Sequence, residues 1–191
     1  MPSIEYDLNF LEAGLVDLEG YLLSKELYWH LDVGSPAGEA PYPRMTLGNL
    51  FLASARLSGR RLSSAEQIQL EKANARMKAI RQHWQVAWGQ KSAREFSARL
   101  RLWRDFMEEY RKKPTDNLDR YAYEISRRVV LALLYAEAEG IPAEEVELLF
   151  GLDDLLRAAF LPGKFTWSEK LKNSFPEDPY WYLYGTLKEK L

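Results

Sequence analysis

The chain has 191 residues, of which 47% are hydrophobic, and its formal net charge is −2. It can therefore bury a substantial core, and the absence of cysteine excludes disulfides, thiolate zinc sites and a cysteine nucleophile. Its longest apolar run, Val129–Ala136, is far shorter than the ~17 residues that a membrane-spanning helix needs. Residues 1–10 carry two acids and no basic side chain, unlike a signal peptide. We expect a cytoplasmic protein that has no membrane partner.

Charge is distributed unevenly along the chain. Residues 1–43 hold one basic and eight acidic side chains, residues 44–128 hold nineteen and nine, and residues 129–191 hold six and eleven. Such asymmetry can mark a surface for an anionic partner. Alternatively, the acidic ends fold back against the basic middle, and we favour this second explanation.

A first helix is predicted from about Asp7 to Trp29. Its leucines recur in the three- and four-residue steps that line one helix face. They are Leu8, Leu11, Leu15, Leu18 and Leu22. Three glutamates, Glu12, Glu19 and Glu26, follow this seam at seven-residue intervals. Acids in this position typically pair with basic side chains of a neighbouring helix.

Metal binding and catalysis have little support in the sequence. A di-iron bundle would need Glu-x-x-His motifs, but Leu27 and Ile80 stand three residues before His30 and His83, the two histidines of the chain. We predict no metal site, no cofactor and no catalytic residue. A small-molecule enzyme that uses His30 or His83 as a general base is the remote alternative.

The segment Leu31–Arg44 is predicted to be an ordered loop, because its glycines and prolines break any helix. Loops held by a rigid scaffold often carry binding residues. His30, Asp32, Tyr42 and Arg44 therefore form a candidate loop pocket. The alternative is a connection without a binding role, packed by the Tyr42 ring.

A short helix follows the loop. Thr46 is predicted to cap its N-terminus. The helix should stop at Gly59, where glycine accepts the left-handed conformation of a helix C-terminus.

The stretch Ser63–Lys113 is the one around which the fold is organised. Its apolar spacing predicts two long amphipathic helices joined near Gly89. Capping boxes are predicted at both helix starts, Ser63 with Glu66 and Ser92 with Glu95.

Arginines on these two helices form a candidate surface for an anionic partner. They are Arg76, Arg81, Arg94, Arg101, Arg104 and Arg111. Such a surface can neutralise phosphates, which makes nucleic-acid binding through residues 56–128 the first alternative function. The competing interpretation is an ordinary solvated face, since acids are interleaved with these arginines.

The remaining chain is predicted to be helical as well. A helix should run from about Thr115 to Glu139, and shorter ones over Pro142–Phe150, Leu152–Leu161, Trp167–Asn173 and Pro179–Lys190. The junction at Gly151 predicts an ordinary helical hairpin. The last helix is rich in aromatic residues, and Tyr180, Trp181 and Tyr184 form either an exposed patch for a partner or a packed tail.

The sequence thus predicts an all-α fold. A single domain over residues 1–191 would comprise four to five main, mostly antiparallel helices in residues 1–140, with a short-helix extension, residues 141–191, packed on them. For function we expect a non-catalytic helical module for protein interaction or self-association. This expectation follows from the missing chemistry, and a helix face, the loop or the aromatic C-terminus would bind the partner.

Overall fold

The computed structural model describes residues 2–190. Helices make up 68% of the chain and strands 6%, so the all-α prediction is confirmed. The longer helices are α1 (Ile4–Leu23), α2 (Leu47–Ser58), α3 (Ser64–His83), α4 (Gln85–Lys112), α6 (Tyr121–Tyr135) and α7 (Ala143–Ala159). Shorter elements are α5 (Pro114–Asn117), α8 (Glu177–Tyr180), 3₁₀ turns at Glu169–Ser174 and Trp181–Leu183, and strands β1 (Phe160–Phe165) and β2 (Tyr184–Leu187). Each helix within residues 2–190 is too short or too polar to cross a bilayer.

Helix α1 begins and ends earlier than predicted. Ser3 caps its start, and the whole leucine seam is buried. The helix ends at Leu23, and a buried ammonium group binds two of the backbone carbonyls that follow. Lys91 donates to the backbone oxygens of Ser24 (2.9 Å) and Glu26 (2.7 Å). A cation at the C-terminus of a helix is also favoured by the helix dipole.

Two acids beside the leucine seam bind neutral donors. Glu12 accepts a hydrogen bond from the Gln69 amide (2.7 Å), and Glu19 accepts one from the Trp84 indole (3.0 Å). The expected partners were basic side chains, so that expectation is wrong for these two acids. Because both contacts advance together along the chain, α1 and α3 run in the same direction.

Helix α2 has the predicted bounds, but its C-terminus is capped in a different way from the one predicted. Thr46 caps the start. Gly59 has a φ of −102°, so the predicted left-handed conformation is wrong. Glycine is needed for a different reason, since a Cβ atom would lie 2.3 Å from the Ser174 backbone nitrogen. The Ser174 hydroxyl accepts from the Gly59 N–H (3.1 Å) and donates to the Arg56 carbonyl (3.0 Å), so a distant residue caps this helix.

Helices α3 and α4 meet at Trp84 rather than at Gly89. The capping box of Ser63 and Glu66 at the start of α3 is confirmed. Gly89 lies inside α4, where a Cβ atom would approach the Glu139 Cβ to 3.1 Å. The glycine therefore marks close packing against the chain beyond α6, not a helix end.

The second predicted capping box is wrong, because Ser92 and Glu95 are both buried within α4. The Glu95 carboxylate accepts a hydrogen bond from the Gly48 N–H (2.9 Å) and pairs with Arg99 (3.0 Å). Gly48 is the second residue of α2, whose first N–H groups lack partners within their own helix. Glu95 thus caps a different helix from the one predicted.

Helix α6 is shorter than predicted because α5 and a turn come first. It packs antiparallel to α4: Tyr135 near the end of α6 contacts Phe96, while Arg120 at its start pairs with Glu109 (2.6 Å). Gly140 follows with a φ of +75°, the left-handed conformation that favours glycine after a helix.

Two predictions fail in the C-terminal quarter of the chain. The expected hairpin at Gly151 is one continuous helix, α7, because Leu149, Leu152 and Leu156 continue a single buried face across the glycine. The expected helix over Pro179–Lys190 is absent. In its place lie α8, a 3₁₀ turn and the strand β2.

Strand β2 pairs with β1 in an antiparallel two-stranded sheet. Burial alternates along β2, since Gly185 and Leu187 are buried and Thr186 is exposed. A Cβ atom at Gly185 would lie 2.1 Å from the Leu161 carbonyl oxygen. The tight approach of β1 therefore requires glycine at this position.

Phenol groups of the helices bind the backbone of the C-terminal segment. The Tyr110 hydroxyl donates to the Lys188 carbonyl (2.7 Å), and the Tyr121 hydroxyl donates to the Tyr182 carbonyl (2.6 Å). Burial raises the pKa of both phenols, so they stay neutral donors. These bonds hold the segment against α4 and α6.

Candidate functional site

Two of the six predicted arginines are paired with acids. Arg81 binds Glu137 (3.0 Å), and Arg104 binds Asp105 (3.1 Å). Both pairs are partly exposed, so their net contribution to stability is about 0–1 kcal/mol. The acids nevertheless reduce the positive potential of this surface.

The other four arginines differ in their surroundings. Arg94 donates to the Lys25 carbonyl (3.0 Å) and Arg101 to the carbonyl one turn before it (3.3 Å). Arg76 and Arg111 are exposed, and their side chains form no hydrogen bond or ion pair within residues 2–190. At 1.5 Å per residue, Arg94 and Arg111 lie about 25 Å apart along α4. The six side chains are thus spread over two helices, with acids between them.

Three of the four candidate loop residues line the same cavity. His30, Tyr42 and Arg44 line one open cavity of about 440 Å³. The exposed Asp32 carboxylate lies 3.9 Å from His30 Nε2, which is beyond hydrogen-bond distance. The Tyr42 ring packs against Tyr6 at 4.7 Å between centroids. Its hydroxyl is buried without a partner in residues 2–190, and burial raises its pKa.

Neither histidine is part of an acid–base group. His30 has only the distant Asp32, and His83 is exposed and lies against the Trp84 ring at 4.8 Å. Within residues 2–190, no three His, Asp or Glu side chains are placed to hold a metal ion.

The predicted aromatic patch is half-buried within the C-terminal segment. Trp181 packs edge-on against Phe160 at 5.3 Å, and Tyr180 does the same against Phe175 at 5.2 Å. The Tyr184 hydroxyl donates to the Phe175 carbonyl (2.8 Å). These side chains serve in part to fold the segment, and Tyr180 also faces a groove on the helices.

That groove, called here the helix groove, has a volume of about 530 Å³ and lies between α2, α3, α6 and α8. Its large lining side chains are Phe51, Met77, Leu133 and Tyr180, and its small ones are Ser54, Ala55, Ser58, Ala132 and Ala136. Glu137 is the charged side chain that lines it. The groove is open to solvent, and its large apolar side chains are only partly buried.

A second open cavity of about 530 Å³, called here the Arg56 cavity, lies between α2, α6 and residues 167–171. Arg56 lines it, and the Arg56 guanidinium is bound by Asp7, which is completely buried. Arg56 Nε lies 3.0 Å from Asp7 Oδ2. Arg60 approaches the same carboxylate to 3.7 Å.

Neither a family model, a curated protein nor a solved structure matches this chain. Function is therefore inferred from the geometry of the molecule itself. The helix groove and the Arg56 cavity are the two sites that sequence reasoning missed. Each site combines residues from several helices, and no local sequence pattern specifies which helices pack together. One feature of the sequence pointed to the Arg56 cavity, because Arg56 is a charged residue among apolar ones on the predicted short helix.

Proposed function

We propose that the protein is a non-catalytic interaction module whose helix groove binds an amphipathic α-helix of a protein partner. The single observation that supports this proposal is the open apolar groove between α2, α3, α6 and α8. Grooves between helices are a recurrent site for an amphipathic helix, which inserts apolar side chains from positions i, i+3 or i+4, and i+7.

The lining of the groove suits such a ligand. Small side chains of α2 and α6, such as Ala55 and Ala132, leave room for a helix to approach closely. Phe51, Met77 and Leu133 are partly buried and pack against the core, so part of their conformational freedom is already restricted before binding. Preorganised apolar side chains lose little conformational entropy on binding.

The charged rim favours one orientation of the partner. Glu137 lines the groove at the end of α6 and already pairs with Arg81. A basic residue flanking the apolar face of the partner helix would compete for this carboxylate, which gives specificity more than affinity.

Self-association is tested as well, because helix α7 exposes Phe150 and Leu155, at 53% and 47% of their surfaces. These two residues are five positions apart, so they lie about 140° apart around the helix and do not form the apolar stripe that the groove would bind. We do not propose nucleic acid as the partner, because Asp105 and Glu137 bind two of the candidate arginines. A cytoplasmic location belongs to this proposal, since a cysteine-free chain needs no oxidising compartment.

The test is a selection of helical peptides with a matched pair of variants. Ala136 is exposed and lines the groove, so Ala136→Glu places a charge there without burying it. Ala143 is also exposed, lies at the first turn of α7 and does not line the groove, so Ala143→Glu is the control. An amphipathic-helix library displayed on phage is selected on the wild type, and a concentration series by sedimentation reports self-association.

We expect the enriched peptides to share helical apolar spacing, to lose most of their affinity for Ala136→Glu and to keep it for Ala143→Glu. A charge in an apolar interface without a partner is costly because it must be desolvated. Peptides that bind both variants equally, together with no self-association sensitive to Ala136→Glu, would contradict the proposal.

A further inference from the structure

We propose that the Arg56 cavity is a binding site for a small aromatic carboxylate, with the Arg56 guanidinium as the group that binds the anion. This site is separate from the helix groove. The proposal combines the shape of the cavity, the fixed position of Arg56 and the free polar groups around it.

The size and walls of the cavity suit one small organic molecule. Its volume of about 530 Å³ falls within the ~300–1,000 Å³ typical of ligand sites, which are mostly apolar with a few polar groups. Leu52 and Leu171 contribute aliphatic walls, and Trp167 and Tyr123 contribute aromatic rings. Tyr123 is 73% exposed, so most of its ring surface is open to solvent.

Arg56 is held in place by a carboxylate that is buried away from solvent. Its Nε and Nη2 atoms donate to the buried Asp7, and its side chain is only 16% exposed. Nη1 forms no hydrogen bond within residues 2–190, so its N–H donors are not used by the protein. Arg60 shares Asp7 and also interacts with Glu39.

One other polar group of the cavity is bound to the protein, and two others have no protein partner and can bind a ligand. The Trp167 indole N–H donates to the Ala122 carbonyl (3.0 Å), which fixes the ring in the wall. The hydroxyls of Ser126 and Ser168 line the cavity and have no hydrogen-bond partner in residues 2–190. Two hydroxyls and one guanidinium are therefore available to the same guest.

These groups define the chemistry of the guest. A guanidinium binds a carboxylate by charge-assisted hydrogen bonds, which are stronger than bonds to a neutral acceptor. The serine hydroxyls can donate to the second carboxylate oxygen or to another acceptor. A ring on the guest would contact Trp167 and Tyr123, since aromatic pairs gain energy beyond their buried area.

The probes are phenylacetate and its neutral analogue phenylacetamide, titrated into the isotope-labelled full chain. The readout is the Trp167 indole signal in nitrogen–proton correlation spectra, assigned with Trp167→Phe. We expect this signal to shift on titration, and phenylacetate to bind roughly tenfold or more tightly than phenylacetamide, because a hydrogen bond to a charged group is the stronger one.

Two further variants locate the binding. Ala122 is exposed and lines the cavity, so Ala122→Leu narrows it while the Asp7–Arg56 pair stays intact. Ala143→Leu makes the same change at an exposed position outside it. We expect Ala122→Leu to lose binding and Ala143→Leu to keep it. The proposal is overturned by an unshifted Trp167 signal, by equal affinity for the two probes, or by full binding to Ala122→Leu.

Discussion

Glu95 gives the sharpest prediction about what holds the fold together. It is completely buried in α4, accepts a hydrogen bond from the Gly48 N–H and pairs with Arg99. We expect Glu95→Ala to lower the free energy of unfolding by about 3–5 kcal/mol, the usual cost of removing one partner of a buried ion pair. Arg99 keeps its hydrogen bond to the neutral Asn49 amide oxygen (3.0 Å), so one of its donors stays satisfied while its charge loses the Glu95 carboxylate.

One further variant separates the ion pair of Glu95 from its hydrogen bond to Gly48, and a second variant is the control. Glu95→Gln retains an oxygen that can accept from Gly48, but its NH2 group then faces Arg99, so the charge and the acceptor for Arg99 are both lost. We expect a smaller loss than for Glu95→Ala, of about 1.5–3 kcal/mol. Glu108→Ala is the control, because Glu108 lies on the same helix but is 51% exposed beside Arg104. It should cost about 0–1 kcal/mol.

The assay is equilibrium unfolding in urea, followed by circular dichroism and tryptophan fluorescence. Coincident transitions and unchanged slopes would show that the variants differ in stability alone. The account of Glu95 as a cap across the core fails if Glu95→Ala and Glu108→Ala differ by less than about 1 kcal/mol.

Three other outcomes follow from the structure. Gly59→Ala should destabilise the fold by about 1–3 kcal/mol, because the new Cβ atom would overlap the backbone near Ser174. Gly20→Ala lies at an open position inside α1 and should stabilise the fold by about 0.5–1 kcal/mol. Equal urea midpoints for the two variants would contradict this. Ser63→Ala should lower the free energy of unfolding by about 1 kcal/mol, because it removes the cap of α3. Ser92→Ala should lower it by less than about 0.5 kcal/mol, because the buried Ser92 hydroxyl lacks a partner. The reverse order in urea unfolding would support a capping box at Ser92. Burial raises the pKa of Tyr21 above its ordinary value of 10.0, so the neutral phenol stabilises the native state fully below pH 10, and this stability is lost as the pH rises further. The tyrosinate absorbance of the buried tyrosines should therefore appear only together with alkaline unfolding, and complete ionisation of all tyrosines in a protein with native circular dichroism would refute it.

Features set by local chemistry could be predicted from the sequence. Thr46 caps α2 and Ser63 caps α3 because each hydroxyl acts on its own helix, within a few residues. The leucine seam of α1 is buried because periodicity alone defines its face. These predictions needed no knowledge of what packs against each helix.

Features set by distant residues could not be predicted. Glu95 resembles the end of a capping box, but the N–H that it binds belongs to Gly48 on another helix. Gly59 resembles a left-handed stop, yet its requirement comes from Ser174. Strand β2 lies in an aromatic stretch that suits either a helix or a strand, and pairing with β1 decides between them.

The candidate sites divide in the same way. His30, Tyr42 and Arg44 are neighbours in one loop region and do line one cavity. The helix groove and the Arg56 cavity each need helices that are far apart in the chain. Their residues are individually ordinary, so only the packing of the helices reveals them.

Methionine methyl signals give the most direct test of the proposed helix groove. The chain has four methionines, and Met77 lines the groove while Met45 and Met107 are buried elsewhere in the core. A selected amphipathic peptide is titrated into methyl-labelled wild type, Ala136→Glu and Ala143→Glu. The Met77 signal should shift in the wild type and in Ala143→Glu and stay unchanged in Ala136→Glu. A peptide that binds all three proteins without moving the Met77 signal would show that the groove is not the binding site.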